Sequence, residues 1–116
     1  MSVMRFDTFS VGLLILNDSR PSLSEQESQE LQDSHMSHLA DLHAAGHLLA
    51  AGPLEDASLR GLLIFKVGVE VARQLLEEDP AVRAGRFNVT VVSWMVPEGA
   101  MSFSATRFPR SMDEIG

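Results

Sequence analysis

The chain has 116 residues, enough for one packed core and short for two, and its 45% hydrophobic and 22% charged residues are those of a globular protein driven by burial. A net charge of −7 repels phosphate backbones and anionic lipid surfaces, so neither nucleic acid nor a membrane is an expected partner. No apolar run reaches the ~20 residues that span a bilayer, the first seven residues lack the layout of a secretory signal, and no cysteine is available for a disulfide, a thiolate metal site or a nucleophile; the expected location is cytoplasmic.

Residues 9–16 are short, apolar and rich in branched side chains, and Asn17-Asp18-Ser19-Arg20-Pro21 after them is turn chemistry, which predicts a buried strand. Ser22 to Ser24 offer N-cap hydroxyls, Glu25 and Glu27 suit a helix start, and neither proline nor glycine follows until Gly46, the natural residue just past the end of a long helix. On that helix Leu31, His35, His38, Leu39 and Leu42 gather into one stripe, while Asp33, Ala40 and Asp41 point elsewhere. A second strand is expected over 48–51, ahead of Gly52-Pro53. A hairpin then leads to a third over 61–67. Residues 69–78 return to helical spacing and stop at Asp79-Pro80. Alternation over 87–95 predicts a last strand, with Phe87, Val89, Val91, Ser93 and Met95 on one face and Asn88, Thr90, Val92 and Trp94 on the other. The order β-α-β-β-α-β is the split arrangement in which two helices cover one face of an antiparallel sheet. Val92 and Trp94 make the uncovered face partly apolar, and its burial against a second copy predicts a homodimer. The tail from 97 onward carries Met101, Phe103 and Phe108 among serines and arginines, either without structure or docked on the sheet or on a second subunit.

Two histidines in an apolar stripe require an explanation, because a buried imidazole must find a hydrogen-bond partner or act as one. Spacing does not choose between His35 and His38, and either is equally well a core histidine bonded to a carbonyl. Asp79 directly before Pro80 is a typical helix cap, yet a capping carboxylate has a second oxygen free to orient an imidazole. His35 and His38 are spaced to share an ion, but no carboxylate sits at a matching offset, so no metal is expected; His43 and His47 suit the negative end of a helix. Gly52, Pro53 and Gly61 read first as turn punctuation, and Arg60, Arg83 and Arg86 as solvated cations able to hold an anionic group. No phosphate-loop, dinucleotide or nucleophile-elbow motif occurs.

His35, Gly46 eleven residues later, the apolar strand into Ala51-Gly52-Pro53, Gly61 opening the next strand, Glu78-Asp79-Pro80 and a final strand bearing Trp94 together resemble the YCII-related (YciI-like) family. The resemblance covers roughly residues 9–96. It implies a ferredoxin-like α+β fold, a four-stranded antiparallel sheet with two helices on one face that pairs into a dimeric α/β barrel. It also implies that His35, rather than His38, forms the active-site pair with Asp79. The family resembles muconolactone isomerases and includes a dehydrochlorinase of a chlorinated hydroxyquinol, which implies lyase or isomerase chemistry. The expected organisation is a YCII-like domain over 1–96 followed by an extension over 97–116.

The expected function is that of a cofactor-independent lyase or isomerase on a small polar cyclic or aromatic metabolite. His35 would move the proton, Asp79 would orient it, and Gly52, Pro53 and Arg60 would bind substrate in a pocket between the long helix and the sheet. The alternative is a non-catalytic dimeric module that binds a small ligand or serves as an accessory subunit.

Overall fold

The first apolar run forms β1 (Phe6–Leu16), which starts three residues earlier than its hydrophobicity suggests. It is zipped along its whole length to the last strand, β4 (Phe87–Pro97), from Phe6 opposite Pro97 to Leu16 opposite Phe87, and the same ladder carries β4 past residue 95. The hairpin is β2 (Leu48–Pro53) and β3 (Leu59–Phe65). Pro53 closes an edge strand, where its missing N–H costs the sheet little. β3 ends before the expected residue 67 because the Lys66 amide bonds to the His47 carbonyl and the Ser10 hydroxyl donates to the Val67 carbonyl at 2.7 Å. The four strands run in the order β2-β3-β1-β4 with every neighbour antiparallel. The structure is a computed structural model that describes residues 3–115. Met1 and Ser2, which open the stretch read for a secretory signal and the 1–96 domain, and Gly116, which ends the 97–116 extension, lie outside the described residues.

Of the candidate caps, Ser24 starts the long helix α1 (Glu25–Ala44). Its hydroxyl accepts from the Glu27 amide while the Glu27 carboxylate accepts from the Ser24 amide. The Ser24 backbone N–H, and then its side chain, hold the Glu27 carboxyl below its ordinary range. At the other end Gly46 turns with φ +84°, the His47 amide bonds back to the Leu42 carbonyl and the Gly46 amide to that of His43. α2 (Val69–Glu77) follows β3, and the Asp79-Pro80 stop signal opens a one-turn helix, α3 (Pro80–Arg83), which ends in the same manner at Gly85 with φ +80°. The whole is a ferredoxin-like α+β fold.

Leu14, Leu63, Phe65, Phe87 and Val91 rise from the sheet to meet Leu42, Ala72, Leu76 and Ala81 of the helices. At Gly12 the sheet lies close under α2: a Cβ there would stand 2.6 Å from Leu76 Cδ1 and 3.2 Å from the Phe65 ring.

Two burial expectations need correction. α1 packs against both β2 and α3, so its covered face is wider than one stripe; Met36 and Ala40 are buried, whereas Leu31, His38 and Leu39 are only partly covered. On β4 the inner face holds through Val91 but Ser93 and Met95 are exposed, and Val96, on the side of Trp94, is buried instead. The chain beyond Pro97 turns at Gly99, whose amide bonds to Asp7, and Phe103 then packs edge-on against Phe9, so this end of the sheet is covered from its outer side. The rest of the outer face is open, with Val92 47% and Trp94 38% exposed. No helix among the described residues is long and apolar enough to cross a membrane.

Candidate active site

His35 lies midway along α1, where helical spacing turns it toward α3 and the sheet. Its ring is almost wholly buried, and its Nδ1–H donates to Asp79 Oδ2 at 2.5 Å. Asp79 is completely buried, and its other oxygen accepts from the Ala81 amide at 2.8 Å as the cap of α3. Both readings of Asp79 are therefore realised at once, one on each oxygen. A carboxylate only accepts, so it fixes the tautomer of His35: the proton sits on Nδ1, and Nε2 is left for the pocket. Phe87 packs beside the imidazole, with ring centroids 6.0 Å apart.

The pocket is a cavity of about 360 Å³ between α1 and the β2–β3 hairpin, within the range that accepts a small organic molecule. His35, Gly52, Pro53 and Arg60 all line it, so four of the five sequence-derived residues share one wall system. Asp79 stands behind His35, completely buried, and does not line the cavity. Most of the remaining lining is apolar, including Leu14, Met36 and Leu39, with Gln32 as a further polar group. Arg60 is exposed at the rim, on a hairpin whose turn is held by Asp56. That carboxylate accepts from the amides of Leu59 at 2.7 Å and Ser58 at 3.0 Å, which keep it below the usual carboxylate range. The Arg60 guanidinium in turn donates to the Asp56 carbonyl.

The other histidines take different posts. His38 Nε2 donates to the Leu75 carbonyl at 2.8 Å, so it is a partly buried histidine satisfied by a backbone carbonyl. His43, in the last turn of α1, reaches the Leu48 and Thr106 carbonyls, and His47 lies in the turn after the helix. Among the described residues no three His, Cys, Asp or Glu side chains converge as metal ligands. Arg83 and Arg86 are not in the His35 pocket; Arg86 and Arg20 line a separate groove near the start of α1.

The sequence marked Phe108 only as an aromatic of the tail and gave Pro109, Met112 and Ile115 no role; all four come from the tail and form the outer side of the cavity. The only hint of them was the presence of large apolar residues in an otherwise polar extension.

The YCII-related domain matches residues 12–95, a span that holds His35, the hairpin, Asp79 and most of β4. This chain belongs to the YCII-related family. Among solved structures this YCII-related chain is similar to 5-chloro-2-hydroxyhydroquinone dehydrochlorinase (TftG) from Burkholderia phenoliruptrix AC1100, in complex with 2,5-dihydroxybenzoquinone. The identity is 24% and the TM-score 0.52, over 72% of this chain and 92% of that one. At that identity the likeness speaks to the fold. No curated protein matches the chain.

Proposed function

We propose that this chain is an enzyme of lyase or isomerase type that works without a cofactor on a small polar cyclic or aromatic metabolite. One observation carries the reading: an imidazole on the wall of a largely apolar cavity, its Nδ1–H held at 2.5 Å by a completely buried carboxylate. That arrangement leaves a basic Nε2 facing the cavity and a negative charge placed to stabilise the imidazolium formed when it takes a proton. A proton removed by Nε2 from a carbon next to a carbonyl and returned to a neighbouring position gives isomerisation. When the anion instead expels a leaving group from the adjacent carbon, the products are an alkene or arene and the protonated leaving group. Both outcomes are redox-neutral and need only acid–base groups. Arg60 at the rim and the backbone at Gly52-Pro53 would bind the substrate's oxygens. The small ligand of the neighbouring fold, a dihydroxybenzoquinone, is of a size and chemistry that suits such a cavity.

The reading includes a homodimer formed through the open outer face, supported by exposed Val92 and Trp94, and a cytoplasmic location, supported by the acidic, cysteine-free composition. The test is binding of 2,5-dihydroxybenzoquinone by calorimetry together with chloride release from 5-chloro-2-hydroxyhydroquinone, for the native chain and His35→Ala. The expected result is binding in both and a loss of turnover of roughly 10²–10⁴-fold in the variant. Binding without turnover in the native chain would favour the ligand-binding module instead. Absence of both would remove quinone-like rings from the substrate class.

A further inference from the structure

The family match ends at residue 95, yet one side of the His35 cavity is built by residues beyond it. After the turn at Gly99 and the contact of Phe103 with Phe9, the chain runs back along α1 in the opposite direction. Phe108 stacks on His43 with ring centroids 4.1 Å apart and planes 11° from parallel. Arg110 Nη1 reaches Asp41 at 2.8 Å and Ser37 at 3.2 Å, and the Met112 amide reaches Asp33 at 2.9 Å. The segment is braced within itself by Arg107 on Glu114 at 3.2 Å. Its Phe108, Met112 and Ile115 side chains face the cavity opposite the hairpin.

The fastening at His43 has a chemical peculiarity. Both ring nitrogens face carbonyl oxygens, Nδ1 that of Leu48 at 2.7 Å and Nε2 that of Thr106 at 3.1 Å. A carbonyl only accepts, and a neutral imidazole has a single N–H, so only the imidazolium satisfies both at once. The Leu48 bond is local and shorter. When the proton leaves, Nε2 is therefore the atom left without one, and its lone pair then confronts the Thr106 oxygen. The neighbouring charged groups are Asp33 and Asp41 on α1 and Arg107, Arg110 and Glu114 on the segment. His47 in the following turn is the other imidazole nearby, and β2 carries no ionisable side chain.

We infer that residues 106–115 are a strap that completes the His35 cavity and limits what enters it, fastened by His43 as an imidazolium and loosened when His43 becomes neutral. This inference stands apart from the chemistry of His35, because its readout needs no ligand. The experiment is solvent paramagnetic relaxation with the neutral nitroxide TEMPOL, read at the Met36 methyl inside the cavity and at the Arg110 and Met112 amides. The pH would be varied across the range in which imidazoles titrate. In the native chain, relaxation at Met36 should rise with pH, with the midpoint of the His43 ring signal. Loss of one ordinary hydrogen bond shifts the open-to-closed ratio by about fivefold. His43→Gln should remove the pH dependence and His47→Gln should keep it. Arg110→Ala should raise relaxation at every pH while leaving the dependence in place. A Met36 methyl equally shielded at low and high pH in the native chain, or a dependence that survives His43→Gln, would overturn the inference.

Discussion

Asp79 is committed on both oxygens, since one caps α3 and the other holds His35. Asp79→Asn separates these duties. If its oxygen stays on the Ala81 amide, its NH₂ replaces the acceptor facing His35, Nδ1 must then accept, and the ring proton moves to Nε2. Nitrogen chemical shifts of the neutral His35 ring should report that exchange of tautomer, and turnover of any substrate should drop by about a hundredfold or more. A variant that kept the Nδ1–H tautomer would show that Asp79 does not orient the ring. Asp79→Ala removes both bonds and should cost about 2–4 kcal/mol in urea denaturation. The sequence disclosed much of this: a histidine among leucines and an aspartate before proline each announce an unusual polar position. It could not disclose which oxygen does which task, because that depends on how α1 and α3 cross. His43 was read as a helix-end charge, and its second partner, Thr106, lies 63 residues away where no local pattern reaches.

Element boundaries followed local chemistry wherever a capping or turn residue fixed them. Ser24, Gly46 and Asp79-Pro80 end or begin helices as their side chains and backbones dictate. Strand ends were less legible, because the first residues of β1 are held by pairing with β4 and not by their own hydrophobicity. Gly12 is the corresponding case in packing. Nothing in a strand pattern marks it, yet Gly12→Ala would press a methyl group into Leu76 and Phe65, and should destabilise the fold by about 1–3 kcal/mol. Pairing it with Leu76→Ala should give a double variant less destabilised than the sum of the two singles, checked by a thermodynamic cycle. The hairpin at the pocket rim depends on Asp56, whose carboxyl is depressed by the Leu59 and Ser58 amides that bond to it. A depressed carboxyl contributes stability above its unfolded pKa and loses it as pH falls through the folded value. Acidification below the usual carboxylate range should therefore loosen the hairpin, as amide signals of Ser58 and Leu59 would report, and Asp56→Asn should lack that acid-dependent step.

At the scale of the whole molecule, the sheet is finished on one face only. Helices seal the inner side, Phe103 covers one end of the outer side, and Val92 and Trp94 remain in solvent. Sedimentation of the native chain should give twice its 12.7 kDa mass, and Trp94→Asp should return it to a monomer that keeps its helical circular dichroism. A native chain that sediments at the 12.7 kDa mass of one copy would end the dimer reading. The open face was legible from alternation alone, whereas the strap was not, because a segment without periodicity acquires its role only from what it lies against. The double duty of Asp79 also shapes how this chain can age under mutation. A lineage that ceased to use the pocket would still need the aspartate to begin α3. Its buried second oxygen would then confine position 35 to side chains able to donate to it. Histidine itself donates, so its presence at position 35 would not by itself mark use of the pocket, whereas glutamine or asparagine there above an unchanged aspartate would mark a pair kept for its architecture alone.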